Sequence, residues 1–504
     1  MNMSDQTPKR SREMADQYEP NWESLTSYEI PDWVNDSKFG IYAHWGPYSA
    51  AAFGNEWYAR NMYIEGSPEH AHFVSRFGDL SKVGYKEWIP RFTAENFDPE
   101  QWAEIIAGSG AQYAGISLVH HDGFLLWDCK VNRWNAANMG PKRDLYGDLV
   151  AELRKKGLRI SATFHHMRTF NWYLPGSSTL GEAPSASEIE QAKSKGWDLF
   201  DPEYADLYWN SVTGKYEDFL EEWKKKIIEV FDSYQPDLTW FDGGRFREGP
   251  AQDAVCTVLA HYFNRSLEWG KGVTVLNKLP TNGKFNFPRE LGMLTFEQGR
   301  DRLPGIERPW IDDINIAERS WGYIEGQKYR SAAYILKSLI DAVSRGGGIF
   351  LSLAPMADGT IPDEQVKVLG EIGEWLSVNS EAIHGTRPWR IQTEGNVERI
   401  WEQGKRWRYH LCDETDIRFT CTKDALYAIV MGCPKDNTYH IETLRPITRI
   451  GDGDIRSVRL LGCDQPLTWN QNNDGLLIDL PNERPNDQAY TFKIEIDGEI
   501  DLEM

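Results

Sequence analysis

Three clusters of histidines and a small set of acids stand where short apolar runs of this chain end. His44 and Trp45 close one run, and Glu56 and Trp57 follow in "GNEWYARNMY". His120, His121 and Asp122 close a second, with Trp127 just beyond, and His165 and His166 close a third. "PDLTWFDGG", residues 236–244, puts Asp242 at the end of a fourth, and Glu297 closes a later one in "LTFEQGR". Five of the 11 histidines fall in these clusters among acids and tryptophans, which is far from a random scatter. A buried, unpaired carboxylate is costly to desolvate, so Asp242 must be paired, cap the next element, or do chemistry. Plainer readings exist residue by residue. The Asp-Gly at 122–123 suits a turn, Asp242 can cap a following loop or helix, and a single histidine at a strand end is more often a hydrogen-bonding fixture. The histidines also invite a metal, but their spacing matches no metal-ligand motif, so neither a metal nor another cofactor is expected.

The elements that must position these residues alternate. From residue 38 to about 386, strands read in "KFGIYAHW", "AQYAGISLVHH", "LRISATFHH", "PDLTWFDGG", "GVTVLNKL", "MLTFEQG" and "IFLSLAP". Amphipathic helices lie between them, among them "DPEQWAEIIAGSG", "KYEDFLEEWKKKIIEVFDSYQ" and "AAYILKSLIDAVSRGG". Strand–helix alternation means parallel strands under covering helices, and at this length a (β/α)8-like TIM barrel is expected. No GxGxxG or P-loop follows a strand, which disfavours the nucleotide-binding sheets. In such a barrel, polar residues at the carboxyl ends of strands face the active site, which puts the clusters above at one mouth. Past "GTRPWR" the texture changes to short alternating runs such as "RFTCTKDALYAIVMG" and "AYTFKIEI", the pattern of an antiparallel β-sandwich. The expected organisation is an N-terminal extension over 1–21, the barrel over 22–387 and the sandwich over 388–504.

Composition narrows the function. A chain of 504 residues with 40% apolar and 13% aromatic content can bury a large core. Its 21 tryptophans exceed that need, and indole faces commonly serve as stacking platforms in sugar-binding clefts, although most individual tryptophans read as core. A net charge of −21 argues against nucleic-acid or anionic-membrane partners, since phosphate binding runs on clustered Lys and Arg. Six scattered cysteines suggest neither a zinc site nor a disulfide framework, although Cys412 and Cys421 fit neighbouring strands. The N-terminus has no apolar leader core, and no run of about 18 apolar residues occurs. The chain as it stands therefore reads as soluble and cytoplasmic, or as periplasmic or secreted where a leader has been trimmed away. Oligomeric state is open, homo-oligomers included.

The segments "KFGIYAHWGPYS", "GNEWYARNMY", "HHDGFLLWD", "NAANMGPKRDL", "PDLTWFDGG", "SWGY", "SRGGGIFLSLAPMADGTIP" and "IGEWLSVNSEAIHGTRPW" occur in order from about residue 22 to 390. Together they resemble the alpha-L-fucosidases of glycoside hydrolase family 29, and the tail is similar to that family's C-terminal β-sandwich. The resemblance implies an exo-acting, retaining enzyme that removes terminal alpha-L-fucose from fucosylated oligosaccharides or polysaccharides by double displacement through a covalent fucosyl-enzyme. It makes Asp242 the nucleophile. It also implies that His44, His120 and His121 hold fucose hydroxyls and that Glu56 and Trp57 line the sugar pocket. His165 stands beside them at a strand end. Trp240, two residues before Asp242, shares its strand face and so is expected in the pocket as well.

Three positions depart from the family pattern. Val119 stands where many members carry Lys, and Gly348 replaces an Asn in a glycine-rich turn. Ile311, in "ERPWIDDIN", replaces a Glu that has been assigned as the acid/base in some members. Glu297 is then the expected general acid/base, because it ends a strand aimed at the barrel mouth, with an ion pair to Arg300 or Arg302 as its plainer reading. Asp312, Asp313 and Glu307 are alternatives on the adjoining loop, and Arg245 or Arg300 is expected near the leaving-group side. Two further functions remain open: a catalytically impaired fucose-binding protein, suggested by Ile311, and a related glycosidase acting on a galacto-configured sugar.

Overall fold

The computed structural model describes residues 17–178, 182–244, 246–279, 283–299, 308–396, 409–482, 485–486, 488–500 and 502. Arg245, Arg300, Arg302 and Glu307 lie outside the described residues.

Eight parallel strands close a barrel in chain order: β1 Phe39–Ala43, β2 Tyr113–Val119, β3 Arg159–Phe164, β4 Leu238–Phe241, β5 Thr274–Lys278, β6 Met293–Glu297, β7 Trp310–Asn315 and β8 Gly347–Leu353. Nearly every strand residue is buried, as it must be where helices cover one face and the barrel interior the other. The covering helices start on side-chain caps: Asp98 accepts from the Glu100 and Gln101 N–H groups, Asp144 from Gly147, and Ser331 from Tyr334. β7 is the strand that hydrophobic patterning overlooks. Its Asp312 and Asp313, expected on a loop, are buried strand residues.

The barrel floor is one apolar cluster that includes Tyr42, Tyr113, Leu238, Trp240, Leu276, Met293, Ile311 and Phe350. Ile311 is therefore a floor residue, 1% exposed, and Asp313, two positions further along β7, is the one carried towards the mouth. An acid at 311 would sit in that floor, so the isoleucine removes no proton donor from the mouth. The motive for a catalytically impaired protein disappears with it.

Beyond the barrel, β9 Arg387–Glu394, β10 Ile417–Cys421, β11 Ala425–Val430, β12 Thr438–Ile441, β13 Ile455–Leu460, β14 Trp469–Asn472, β15 Gly475–Asp479 and β16 Tyr490–Ile496 form two antiparallel sheets. One has five strands in the order β13-β16-β11-β10-β9, the other three in the order β12-β15-β14, and a second apolar core lies between them. This unit is fastened to the barrel by buried polar contacts. Arg418 on β10 pairs with Asp341 at 2.6 Å, in the barrel helix Ala332–Ser344, and both side chains are fully buried. Trp375, in the helix Asp363–Asn379, donates its indole N–H to the Ala489 carbonyl at 2.9 Å. The six cysteines are unbridged, and Cys412 follows a short turn, Tyr409–Leu411, rather than lying on a strand beside Cys421. Among the described residues no helix is long and apolar enough to cross a membrane.

Candidate active site

The strand-end residues converge at the carboxyl mouth of the barrel. The rings of His44, His120, His121 and His165 form one contiguous group, with neighbouring centroids 4.3–5.9 Å apart. In three of them the scaffold engages Nδ1, whereas the buried His120 Nδ1 has no partner among the described residues. The His121 Nδ1–H donates to the His165 carbonyl at 2.6 Å, so its Nε2 is left as an acceptor. The Ser352 hydroxyl donates to the Leu353 carbonyl and so accepts from His44 Nδ1 at 2.8 Å, which makes His44 Nε2 an acceptor too. His165 Nδ1 meets the Ser117 hydroxyl at 2.9 Å and turns Nε2 towards Asp242 at 3.7 Å. Burial, reinforced by the neighbouring imidazoles, pushes all four well below the ordinary histidine range, with Arg168 adding to the effect at His120, His121 and His165. They are neutral at pH 7. Among the described residues no three His, Cys, Asp or Glu side chains stand together as a metal cage.

Asp242 follows β4 on the inward face, and its counter-ion is Lys278 at the end of β5, 2.8 Å away. The same ammonium contacts Glu297 at the end of β6, at 2.9 Å. Burial alone would push the Asp242 carboxyl up. The Lys278 ammonium, with His165 and Arg168 behind it, overrides this and holds Asp242 well below the usual carboxylate range. Burial would likewise lower Lys278, but Asp242, Glu297 and Asp313 together raise it above its ordinary value. Asp313 moves the other way: burial, with Glu297 and Asp242 near, pushes it well above the usual range, and its oxygen accepts the Tyr42 hydroxyl at 2.8 Å. The site thus separates an ionised carboxylate at 242 from a carboxyl that resists ionisation at 313.

One wall of the cup is aromatic. Trp57 meets His121 edge to face at 5.5 Å, and Trp321 lies 5.1 Å from His44. Glu56 accepts from the Trp321 N–H at 3.1 Å and the Ser320 hydroxyl at 3.2 Å, and burial raises it from the usual carboxylate range. Trp240 is elsewhere. It points inward as its parity requires, but it is fully buried in the floor, with Lys278 Nζ 5.2 Å above its ring. It supports the lysine and offers no open face to a ligand. His166 is on the opposite side of the backbone, packed on Phe164 and Trp223. The glycines after Asp242, which look like room for a ligand, are filled by the protein. Gly243 has a φ of +78°, and a Cβ there would strike the Arg168 side chain; one at Gly244 would strike the Phe246 ring. Asp122 does serve its turn, accepting the Phe124 N–H at 3.2 Å, and also accepts the Tyr85 hydroxyl.

Sequence reasoning missed Lys278 and Arg168, and held Asp313 only as an alternative acid on a loop rather than on a strand. Lys278 carried one signal, a lysine closing an apolar strand in "VTVLNK". Replacing it with Met is expected to lower kcat/KM on the order of 100-fold, the scale of losing one electrostatic stabiliser. The acid limb of the pH–rate profile should move to higher pH, because Asp242 loses the charge that keeps it ionised. A limb left in place would reduce Lys278 to a structural role.

A (β/α)8 barrel whose mouth joins two carboxylates to a ring of neutral histidines and tryptophans defines a glycoside hydrolase. A family model for alpha-L-fucosidase matches residues 6–381, and one for the alpha-L-fucosidase C-terminal domain matches residues 413–495. The chain belongs to the alpha-L-fucosidase family, glycoside hydrolase family 29. It is similar to the tissue alpha-L-fucosidase of Macaca fascicularis, 29% identical with 95% of this chain and 91% of that protein covered. The plasma alpha-L-fucosidase of Homo sapiens is 28% identical, with 93% and 89% covered. Among solved structures, a Thermotoga maritima alpha-fucosidase in complex with fucose superposes with a TM-score of 0.71 at 27% identity, covering 95% of this chain and all of that one.

Proposed function

We propose that the protein removes terminal alpha-L-fucose from fucosylated glycans as an exo-acting, retaining enzyme, with Asp242 as nucleophile and Glu297 as general acid and then base. The observation that carries this reading is Lys278, in contact with both carboxylates at once. One ammonium touching two carboxylates keeps the contacting oxygens no farther apart than two short contacts laid end to end, which is compatible with the retaining spacing of about 5–5.5 Å. The charge state of Asp242 and the exposure of Glu297 fit as well. Asp242 is held ionised for attack on the anomeric carbon, and Glu297 is the more solvent-exposed of the two, at 29% against 14%. The Nε2 acceptors of His44 and His121 suit sugar hydroxyl donors, and Trp57 and Trp321 suit the apolar side and methyl group of a 6-deoxy sugar. The complex of the Thermotoga maritima relative with fucose supports the same substrate class.

Proton NMR during hydrolysis of an aryl alpha-L-fucoside tests the mechanism. The first-formed sugar is expected to be the alpha anomer, with mutarotation to beta only later. First formation of the beta anomer would mean single displacement. Binding of fucose without turnover would mean a lectin, and faster turnover of the matched aryl galactoside would mean a different sugar specificity.

A further inference from the structure

At the opposite, amino-terminal end of the barrel lies a cavity of about 680 Å³, walled by segment 26–30, the barrel bottom and β9. In a chain of net charge −21, five lysine and arginine side chains line it against two glutamates. Three of the five are engaged by the protein. Arg387 pairs with Asp36 at 3.0 Å, Arg345 with Asp341 at 3.3 Å, and Arg390 donates to the Thr448 and Arg449 carbonyls. The other two are different. Lys38, directly before β1, is 4% exposed, and its side chain has no hydrogen-bond or ion-pair partner among the described residues. Arg308 gives one N–H to the Gly292 carbonyl at 3.3 Å, while its buried Nε has no partner among the described residues.

A largely buried lysine whose ammonium has no hydrogen-bond or ion-pair partner is costly to charge, and Asp36 only partly offsets that cost. Methionine or leucine would fill the space at less expense of free energy. We propose that this cavity is a second ligand site, one that takes a small organic anion through its carboxylate, sulfate or phosphate group, with Lys38 as the principal contact. The volume suits a small-molecule ligand, and Tyr28, Ile30 and Pro309 supply apolar lining for its body. The site is separate from the chemistry: Lys38 precedes the first strand, whereas the residues of the active site follow the strand ends.

The surroundings of Lys38 predict how binding depends on pH. Burial, with Arg387 beside it and only partly offset by Asp36, lowers the lysine to about 7. His384, the other titratable group facing it, is itself pushed down to about 4 by burial and stays neutral above that. An anion favours the charged lysine, so binding takes up a proton near neutral pH and weakens as pH rises through 7.

Sulfate is the first probe, because its charge is constant between pH 6 and pH 8. In thermal-shift and calorimetric titrations of the whole protein, sodium sulfate is expected to raise Tm above a sodium chloride control of equal ionic strength. Its affinity should fall about 10-fold from pH 6 to pH 8. Calorimetry of the unmodified protein in buffers of different ionisation enthalpy should show proton uptake on binding, which keeps the test independent of any variant. Lys38→Met should abolish the sulfate effect and leave glycoside hydrolysis unchanged. Benzoate, 4-nitrophenyl sulfate and 4-nitrophenyl phosphate then rank the three head groups. No stabilisation beyond chloride, or one that is independent of pH and survives in Lys38→Met, would overturn the proposal.

Discussion

Asp242→Ala is expected to lose roughly 10^4- to 10^6-fold in kcat on aryl alpha-L-fucosides, the scale seen when a nucleophile is removed from a preorganised site. Asp242→Asn should be equally inactive. That pair of variants separates chemistry from capping, because an asparagine keeps the shape and hydrogen-bond capacity of a cap but cannot attack an anomeric carbon. The fold should survive both changes. Lys278 retains Glu297 as a partner at 2.9 Å, and the backbone N–H of residue 242 still reaches the Phe164 carbonyl at 2.9 Å. Near-native circular dichroism with activity lost is therefore the expected pair of readings. Azide should partly rescue Asp242→Ala by entering the space the carboxylate leaves, and the product should be the beta-fucosyl azide, a single inversion. Asp242→Asn at more than about a tenth of native activity would be incompatible with a nucleophilic role.

The barrel was legible because its strands are apolar runs that end on chemistry, and "PDLTWFDGG" and "AQYAGISLVHH" announce both at once. β7 was not, and the reason is physical. "WIDDIN" puts two acids in mid-strand, a pattern that reads as loop until each acid is seen to have a buried partner: Asp313 the Tyr42 hydroxyl, Asp312 the Gly299 N–H at 2.8 Å. The misplaced strand also misplaced Ile311, which motif adjacency set at the mouth and strand parity sets in the floor. Trp240 shows the limit of parity itself. It gives the face of a strand but not the depth, and only the closed barrel reveals that Lys278 stands between this indole and the cup. Lys278 carried a signal that was easily misread, for a related reason. A lysine at a strand end reads as solvated surface, and its role arises only from the register that sets β5 between the strands ending at Asp242 and Glu297. Long-range pairing, not local pattern, brings Lys278 into contact with both carboxylates.

Glu297→Ala carries the second large effect, and its signature is selective. Fucosides with poor, sugar-like leaving groups should slow about 10^2- to 10^4-fold, because their departing oxygen needs a proton. Aryl fucosides whose phenol leaves unaided should keep a fast first step, since Asp242 remains paired with Lys278 and ionised. The fucosyl-enzyme should then accumulate, with a burst of phenol, because the base that activates water is gone. Azide needs no such base. It should restore turnover and yield the alpha-fucosyl azide, the opposite anomer from the Asp242→Ala product. Glu297 is favoured over its neighbours by exposure and by partners. Asp312 accepts a main-chain N–H of the β6–β7 connection, and Asp313 is 2% exposed and tied to Tyr42, so neither can shuttle a proton to a leaving group and recover it from solvent as Glu297 can. Equal slowing of both substrate classes, with no response to azide, would transfer the role to another acid such as Glu307 and leave Glu297 as an ion-pair partner of Lys278.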